Sequence, residues 1–259
     1  MRRDKTNYVI QSVSHALDVL EQFSENHEEL GITELSQRLK LHKNNVFRIL
    51  ATLQARGYIE QNKRTENYRL GVRCLSLGQR YLSQLGLLKP ARPVLRELAQ
   101  RTGETTLLGV ARAGAAVVLE AIDGGQAVQV VARIGEPAPL HCTAIGKLAL
   151  AFGEATLREG LPDRLNPCTE NSLATKEQLL AELDRIVQQG YALERGEHVA
   201  DVFSAAAPVR DYTGAFVAAL AVAAPMHRVS DKRLNEGILP ALVGAGRELS
   251  GRLGFEPPK

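Results

Sequence analysis

Cysteine is scarce, and the three present suit neither of its common structural uses. Cys74, Cys142 and Cys168 are odd in number and widely spaced, so the chain offers no disulfide framework and no Cys-x-x-Cys metal knuckle. Buried free thiols are the expected state. A run of about 18 apolar residues, the length that crosses a bilayer, is also missing. The opening Met-Arg-Arg-Asp-Lys has none of the apolar stretch of a signal peptide. Neither membrane insertion nor export is indicated, and the expected location is the cytoplasm. Catalytic signatures are missing too: no Gly-x-Ser-x-Gly elbow, no His-Glu-x-x-His zinc pair, no Gly-x-x-x-x-Gly-Lys-Ser/Thr phosphate loop. These gaps weigh against an enzyme and imply no metal and no cofactor. His141, His198 and His227 stand among non-ligand neighbours and are read as core or solvated histidines.

What is present is an ordinary soluble composition with an uneven charge. Of 259 residues, 44% are hydrophobic and 24% charged, enough for one large domain or two smaller ones without long disorder. The net charge is only +3, but residues 1–73 hold twelve Lys and Arg against nine Asp and Glu, while the remainder balances at twenty of each. The whole excess is N-terminal, where it marks a weak electrostatic footprint for nucleic acid.

That excess coincides with an informative helix. In Lys43-Asn-Asn-Val-Phe-Arg-Ile-Leu-Ala-Thr-Leu53, residues Val46, Ile49, Leu50 and Leu53 recur at helical spacing and form one apolar stripe. Lys43, Asn44, Asn45, Arg48 and Thr52 fall off the stripe. Asn and Arg can pair with the edges of adenine and guanine, and Lys43 is placed for a phosphate. A merely solvated helix face has the same composition, so the neighbouring elements decide.

Upstream, Ser12 is positioned to cap a first helix carrying Val13, Ala16, Leu17, Leu20 and Phe23. A polar loop from Ser24 to Leu30 follows, and Thr33 is a candidate cap for a short second helix with Leu35 and Leu39 on one face. Leu41-His42 then turns tightly into the third. Two short helices with such a turn make a helix-turn-helix, whose second member enters the major groove. Gly57 can close helix three. Tyr58-Ile59-Glu60 and Tyr68-Arg69-Leu70 read as the strands of a hairpin around the polar turn Asn62–Asn67. This basic hairpin is a wing, with Lys63 and Arg64 at its tip for phosphate or the minor groove.

Several motifs in this order resemble the IclR family of bacterial transcriptional regulators. They are Gln11-Ser-Val-Ser-His-Ala-Leu-Asp-Val-Leu20, Ile32-Thr-Glu-Leu-Ser36, Leu41 to Leu50, Leu53-Gln-Ala-Arg-Gly-Tyr-Ile59 and Tyr68-Arg-Leu-Gly71. Further on come Leu140-His-Cys-Thr-Ala-Ile-Gly-Lys147, Gln189-Gly-Tyr191 and Ala206-Ala-Pro-Val-Arg-Asp211. The resemblance spans nearly the whole chain. It implies an α+β protein with an N-terminal winged helix-turn-helix domain over residues 1–73, a linker helix over 74–89, and a GAF-like effector-binding and oligomerisation domain over 90–259. Operator DNA, double-stranded and palindromic, is the implied partner. A homodimer or dimer of dimers is implied as well, with the first helix and the linker helix contributing contacts.

The second half supports that division. After Pro90 a helix with Val94, Leu95 and Leu98 stops at Gly103, and strands are expected at Thr105–Ala111, Ala116–Ile122 and Gln126–Val131. Pro137-Ala-Pro139 opens a loop. Thr143 can then cap a helix through Ala144, Ile145, Gly146 and Lys147 to Phe152, whose unpaired first-turn amides suit an anion. A helix from about Thr175 to Gln189 carries Leu179, Leu180, Leu183, Ile186 and Val187. A hairpin follows with strands Phe203–Arg210 and Phe216–Ala223. The C-terminal helices should be interrupted near Gly237 and Pro240.

By resemblance, the effector site is built from the Thr143–Gly146 turn, Glu194, Ser204, Ala221 and Ala223. Relatives sensing small keto acids carry hydroxyl side chains at the last two positions and cysteine in place of Ser204. The alanines remove donors for a carboxylate, and an ionised Glu194 would oppose an anion. An apolar or aromatic effector is therefore expected over a short keto acid. Two other readings stand beside this one. Cys142 and Cys168 as low-pKa thiols in a GAF-like pocket would make a redox sensor or reductase, and a DNA-organising protein would need no second domain with a pocket.

Overall fold

Apolar spacing organises the N-terminal unit. The computed structural model describes residues 9–24 and 27–256, and the chain divides into two compact units, residues 1–84 and 85–259. In the first unit, α1 (Gln11–Glu21), α2 (Ile32–Leu39) and α3 (Lys43–Ala55) enclose a small core of Val19, Leu30, Leu35, Val46, Leu50, Leu53, Ile59 and Tyr68. Strands β1 (Ile59–Gln61) and β2 (Tyr68–Leu70) pair antiparallel, and Leu30 adds a bridge to Tyr68. Gly57 takes φ +74° after α3, the left-handed turn that lets the chain reverse into the hairpin. α4 (Val72–Leu85) follows.

Three details differ from the sequence expectations. Ser12 does not cap α1: the chain enters the helix at Ile10, whose carbonyl accepts the amides of Val13 and Ser14. Thr33 does not cap α2; that role falls to Gly31 in extended conformation, because Ile32 must already be helical to pack on the core. Residues 25 and 26 of the expected Ser24–Leu30 loop lie outside the described residues. The stripe expected on α1 is only partly turned to the core. Val13 and Leu17 are exposed, Leu20 and Phe23 pack half-buried against the core, and the fully buried residue of the helix, Val19, lies off the expected stripe.

The second unit is a six-stranded antiparallel sheet between two helical layers. Its elements are α5 (Leu88–Thr102), β3 (Thr105–Arg112), β4 (Ala115–Ile122), β5 (Pro137–Pro139), α6 (Ala144–Phe152), α7 (Ala155–Glu159), α8 (Lys176–Gln189), β6 (Ala192–Arg195), β7 (Val202–Arg210) and β8 (Phe216–Pro225). A 3-10 turn Met226–Arg228, α9 (Asp231–Arg233), a π turn Leu234–Ile238 and α10 (Leu239–Arg252) complete it. The strand order is β5-β4-β3-β8-β7-β6. α5 and α10 pack on one face, and α6 and α8 close the other. Alanine dominates the central strands: Ala205 to Ala207 on β7 and Ala218, Ala219, Ala221, Ala223 and Ala224 on β8 are all buried. Such small side chains let helices approach the sheet closely.

Here too the sequence reading needs correction. No strand forms over 126–131. Its carbonyls are instead held by side chains, Val130 O accepting from Thr105 Oγ1 and Val128 O from Arg228. The third strand is Pro137–Pro139, read from sequence as a loop; prolines lacking an N–H are tolerated there because β5 is an edge. The linker helix runs over Val72–Leu85 rather than 74–89, and α5 begins at Leu88, with Pro90 in a first turn whose amides need no intrahelical partner. Leu180 and Val187 of the expected α8 stripe are exposed. The C-terminal segment is not broken at Gly237 and Pro240: the π turn absorbs the irregularity, and Pro240 falls in the first turn of α10.

Candidate functional site

Two regions, one in each unit, carry chemistry. On α3 the apolar stripe faces the core, so Lys43, Asn44, Asn45, Arg48 and Thr52 are all left exposed. Thr52 is partly committed, since its hydroxyl donates to Arg48 O at 2.8 Å, leaving it an acceptor. Phe47, passed over in the sequence reading, is 54% exposed beside Arg48. A large apolar side chain on a polar reading face suits contact with a thymine methyl.

The wing is held by a residue that motif reading missed. Glu29 accepts from Asn62 Nδ2 at 2.8 Å and from Thr65 Oγ1 at 2.9 Å. These bonds, Asn62's first and Thr65's second, hold its carboxyl below the usual range. Inside the turn, Asn62 Oδ1 accepts from the Arg64 amide. Lys63 and Arg64 are left exposed at the tip.

In the second unit a cavity of about 710 Å³ opens against the start of α6, a size suited to a small organic ligand. Thr143, Ala144, Ile145, Glu194, Ser204 and Ala223 line it; Gly146 and Ala221 do not. Gly146 serves packing instead, because a Cβ there would collide with the backbone of Leu140. Ala221 is fully buried and paired in register with Leu107 and Ala206. Thr143 caps α6 by accepting from the Gly146 amide at 3.1 Å. The Lys147 amide bonds to Thr143 O. The amides of Ala144 and Ile145 have no acceptor among the described residues. Gly109 on β3 keeps the wall open, since a Cβ there would stand 2.7 Å from Ile145 Cδ1.

Glu194 is the charged group set deepest in this wall, at 4% exposure. Its Oε1 accepts two amides from the turn after β6, Glu197 N at 2.9 Å and His198 N at 3.1 Å. Burial nevertheless pushes its carboxyl up to about 7, against those two bonds, with nearby Glu197 adding to the rise and Lys147 opposing it. Lys147, 1% exposed, is tied to Glu197 at 2.6 Å. His198, read from sequence as a core or solvated histidine, also lines the cavity, as do Arg133, Glu136 and Asp201, which were not singled out. Nothing in the local pattern identified them, because they lie on irregular segments. Burial holds the His198 imidazole below its usual value.

The thiols depart from expectation. Cys142 is buried, but Cys168 is exposed and Cys74 lies between. Cys142 and Cys168 do meet, sulfur to sulfur at 3.0 Å, yet neither lines the cavity. Burial, then the neighbouring Cys142, pushes the Cys168 thiol up to about 12, the reverse of an activated nucleophile. A further cavity of about 570 Å³ lies among α8, β7 and α10; Gln189, Gly190, Ala207, Pro208 and Arg210 of the family-like motifs line it, and none of the candidate site residues does.

Comparison with known proteins places these features. The model of the IclR helix-turn-helix domain matches residues 12–63, and that of the bacterial transcriptional regulator IclR C-terminal domain matches residues 79–251. The chain belongs to the IclR family of bacterial transcriptional regulators. It is 37% identical over 249 residues to the HTH-type transcriptional regulator XynR of Escherichia coli K12, covering 95% of this chain and 98% of that one. It is 26% identical over 231 residues to the transcriptional repressor IclR of the same strain, covering 88% and 84%. An IclR homologue from Microbacterium hydrocarbonoxydans, crystallised with 4-hydroxybenzoate, superimposes with a TM-score of 0.79 at 25% identity, covering 93% of this chain and 99% of that one. A DNA-binding regulator with an α+β effector-type domain is thus the frame for both regions. The relatives give no support to a reductase. Among the described residues no helix is long and apolar enough to cross a membrane.

Proposed function

We propose that this chain is a ligand-responsive repressor that binds a palindromic operator as a homodimer or dimer of dimers. The observation that carries the reading is the outward polar face of α3 beside a pinned basic wing. In this reading Asn44, Asn45, Arg48 and Thr52 address base edges, while Lys43, Lys63 and Arg64 address phosphates. The exposed apolar residues of α1 and α4, among them Val13, Leu17, Val72, Leu75, Leu77 and Tyr81, are the surfaces that a partner subunit would cover.

The effector enters the cavity at the start of α6. Its apolar walls, Ile145, Ala144, Ala223, Leu107 and Val118, and its volume favour an aromatic body over a two- or three-carbon acid. The relative crystallised with 4-hydroxybenzoate supports the same class. Effector binding would shift the population between arrangements of the DNA-binding pair, each stabilised to a different degree by the ligand.

The test is a gel-shift titration of the purified protein on the DNA upstream of its own gene, with and without a panel of aromatic and short carboxylate compounds. Specific retention released by the aromatic class is the expected result. Release by glyoxylate or pyruvate alone would overturn the effector assignment. Failure to retain that DNA or any sequence selected from a random library would overturn the operator reading.

A further inference from the structure

The effector reading leaves one feature of the cavity unused. Glu194 is 4% exposed, and among the described residues one of its two carboxyl oxygens has a partner. Oε1 takes the amides of Glu197 and His198. Among the described residues Oε2 is engaged by no donor, yet it is not a sealed, partnerless side-chain atom, as Glu197 Oε2 is. Since Glu194 lines the cavity, Oε2 faces it. The opposite requirement sits on α6. The Ala144 and Ile145 amides open a nine-residue helix without acceptors, and both residues line the same cavity. An acceptor-seeking helix start and a carboxyl group therefore share one low-dielectric space.

An anion held by those amides would meet Glu194 as a like charge if Glu194 were ionised, and as a hydrogen-bond donor if it were protonated. The surroundings leave the choice open to the ligand. Lys147, the cation near Glu194 on α6, is already committed to Glu197. The turn after β6 contributes Glu197 and His198, the loop before α8 contributes Cys168, and β7 places the uncharged Ser204 opposite Glu194 in register. Arg133, Glu136 and Asp201 complete the charged lining. Burial raises the carboxyl to about 7, so both its forms are accessible at neutral pH.

Resting on the effector reading above, we propose that the cavity binds an aromatic monocarboxylate together with one proton, and that Glu194 is the group that takes the proton. The ligand carboxylate accepts from the α6 amides and from Glu194 Oε2–H. Glu194 thereby sets both charge selectivity and pH response. The expectation that an ionised Glu194 opposes an anion stands; the protonated form instead holds one. Linkage gives the sign. The bound anion stabilises protonated Glu194, so affinity is highest below neutrality and falls about tenfold per pH unit once free Glu194 is ionised.

The experiment is calorimetry on the full-length protein with para-substituted benzoates and the matched neutral benzamides, at pH 6 to 9 and in two buffers of different ionisation enthalpy. Benzoate binding should take up close to one proton at pH 8 and weaken roughly tenfold between pH 8 and 9. In Glu194→Gln, whose amide still donates but cannot titrate, benzoate affinity should be flat with pH. A carbon-13 titration of the ligand-free protein supplies an independent check, one carboxyl resonance titrating near neutrality and absent from the variant. Benzoate binding with no proton uptake would overturn the proposal while leaving the cavity as the effector site. Benzamides binding in preference to benzoates at pH 6 would overturn the anion assignment. Binding of neither series would overturn the proposal and the aromatic effector reading together.

Discussion

Arg48 and Lys63 differ in what their loss should do, because the proposed reading assigns one to a base and the other to a phosphate. Arg48→Ala should cost roughly 1–3 kcal/mol on the specific operator and relax selectivity at one base position. Lys63→Ala should weaken all sequences alike and lower the dependence of affinity on salt by about one counterion. Fluorescence anisotropy on specific and scrambled duplexes over a salt series separates the two, and an Arg48 variant with unchanged operator affinity would remove the base assignment. Glu194 offers a stability readout free of any ligand. Its folded carboxyl lies near 7 against an ordinary 4.5, so folding favours the protonated form, and stability is lost as pH rises from about 4.5 to 7. Glu194→Gln should therefore gain on the parent between pH 5 and pH 8.5, on the order of 3 kcal/mol if the whole shift is expressed. Thermal melts at the two pH values measure it; equal differences at both would show that Glu194 is ionised in the fold.

Elements in the second unit are fastened by charges at a distance in sequence. Glu104, just before β3 and 1% exposed, receives Arg228 through two bonds at 2.6 and 2.7 Å and Arg233 at 2.8 Å. Arg228 also donates to Val128 O, and Arg233 to Thr102 O. The group ties α5, β3, the segment after β4 and the start of the C-terminal helices into one joint. Glu104→Gln leaves two guanidinium groups without their carboxylate, and should destabilise by roughly 3–5 kcal/mol in chemical denaturation. The α6 turn is tight for a different reason. Gly146→Ala would force a methyl into the Leu140 backbone and should cost roughly 1–3 kcal/mol, with loss of effector response at temperatures where the fold persists. A Gly146→Ala protein with unchanged stability and response would show that the turn can shift freely. Neither joint was legible in the sequence. Arg228 meets Glu104 across 124 residues, a pairing no local pattern announces.

For the whole molecule, assembly is the quantity that matters, because the apolar faces of α1 and α4 are left exposed among the described residues. Leu17 is 53% exposed and Leu75 63%. Leu17→Lys and Leu75→Asp should each lower the mass observed by light scattering toward the monomer and weaken operator binding more than either weakens folding. Retention of the parent's mass in both would move the subunit contact elsewhere. Local signals were sufficient wherever one segment could decide its own state. The helical spacing of Val46, Leu50 and Leu53 turned Asn44 and Arg48 outward, Thr143 announced the start of α6, and the turn residues Asp211–Gly214 between two apolar runs announced the β7–β8 hairpin. They failed where the outcome depended on partners distant in sequence. Residues 126–131 look like a strand by composition, but Thr105 and Arg228 claim their carbonyls; Pro137–Pro139 looks like a loop, but β4 offers it an edge. The sequence by itself thus determined the two-domain plan, the reading helix with its wing and the family. Only the tertiary structure decided the protonation of Glu194, the lining of the cavity and the joint at Glu104, because desolvation and ion pairing depend on what surrounds a group in space rather than along the chain.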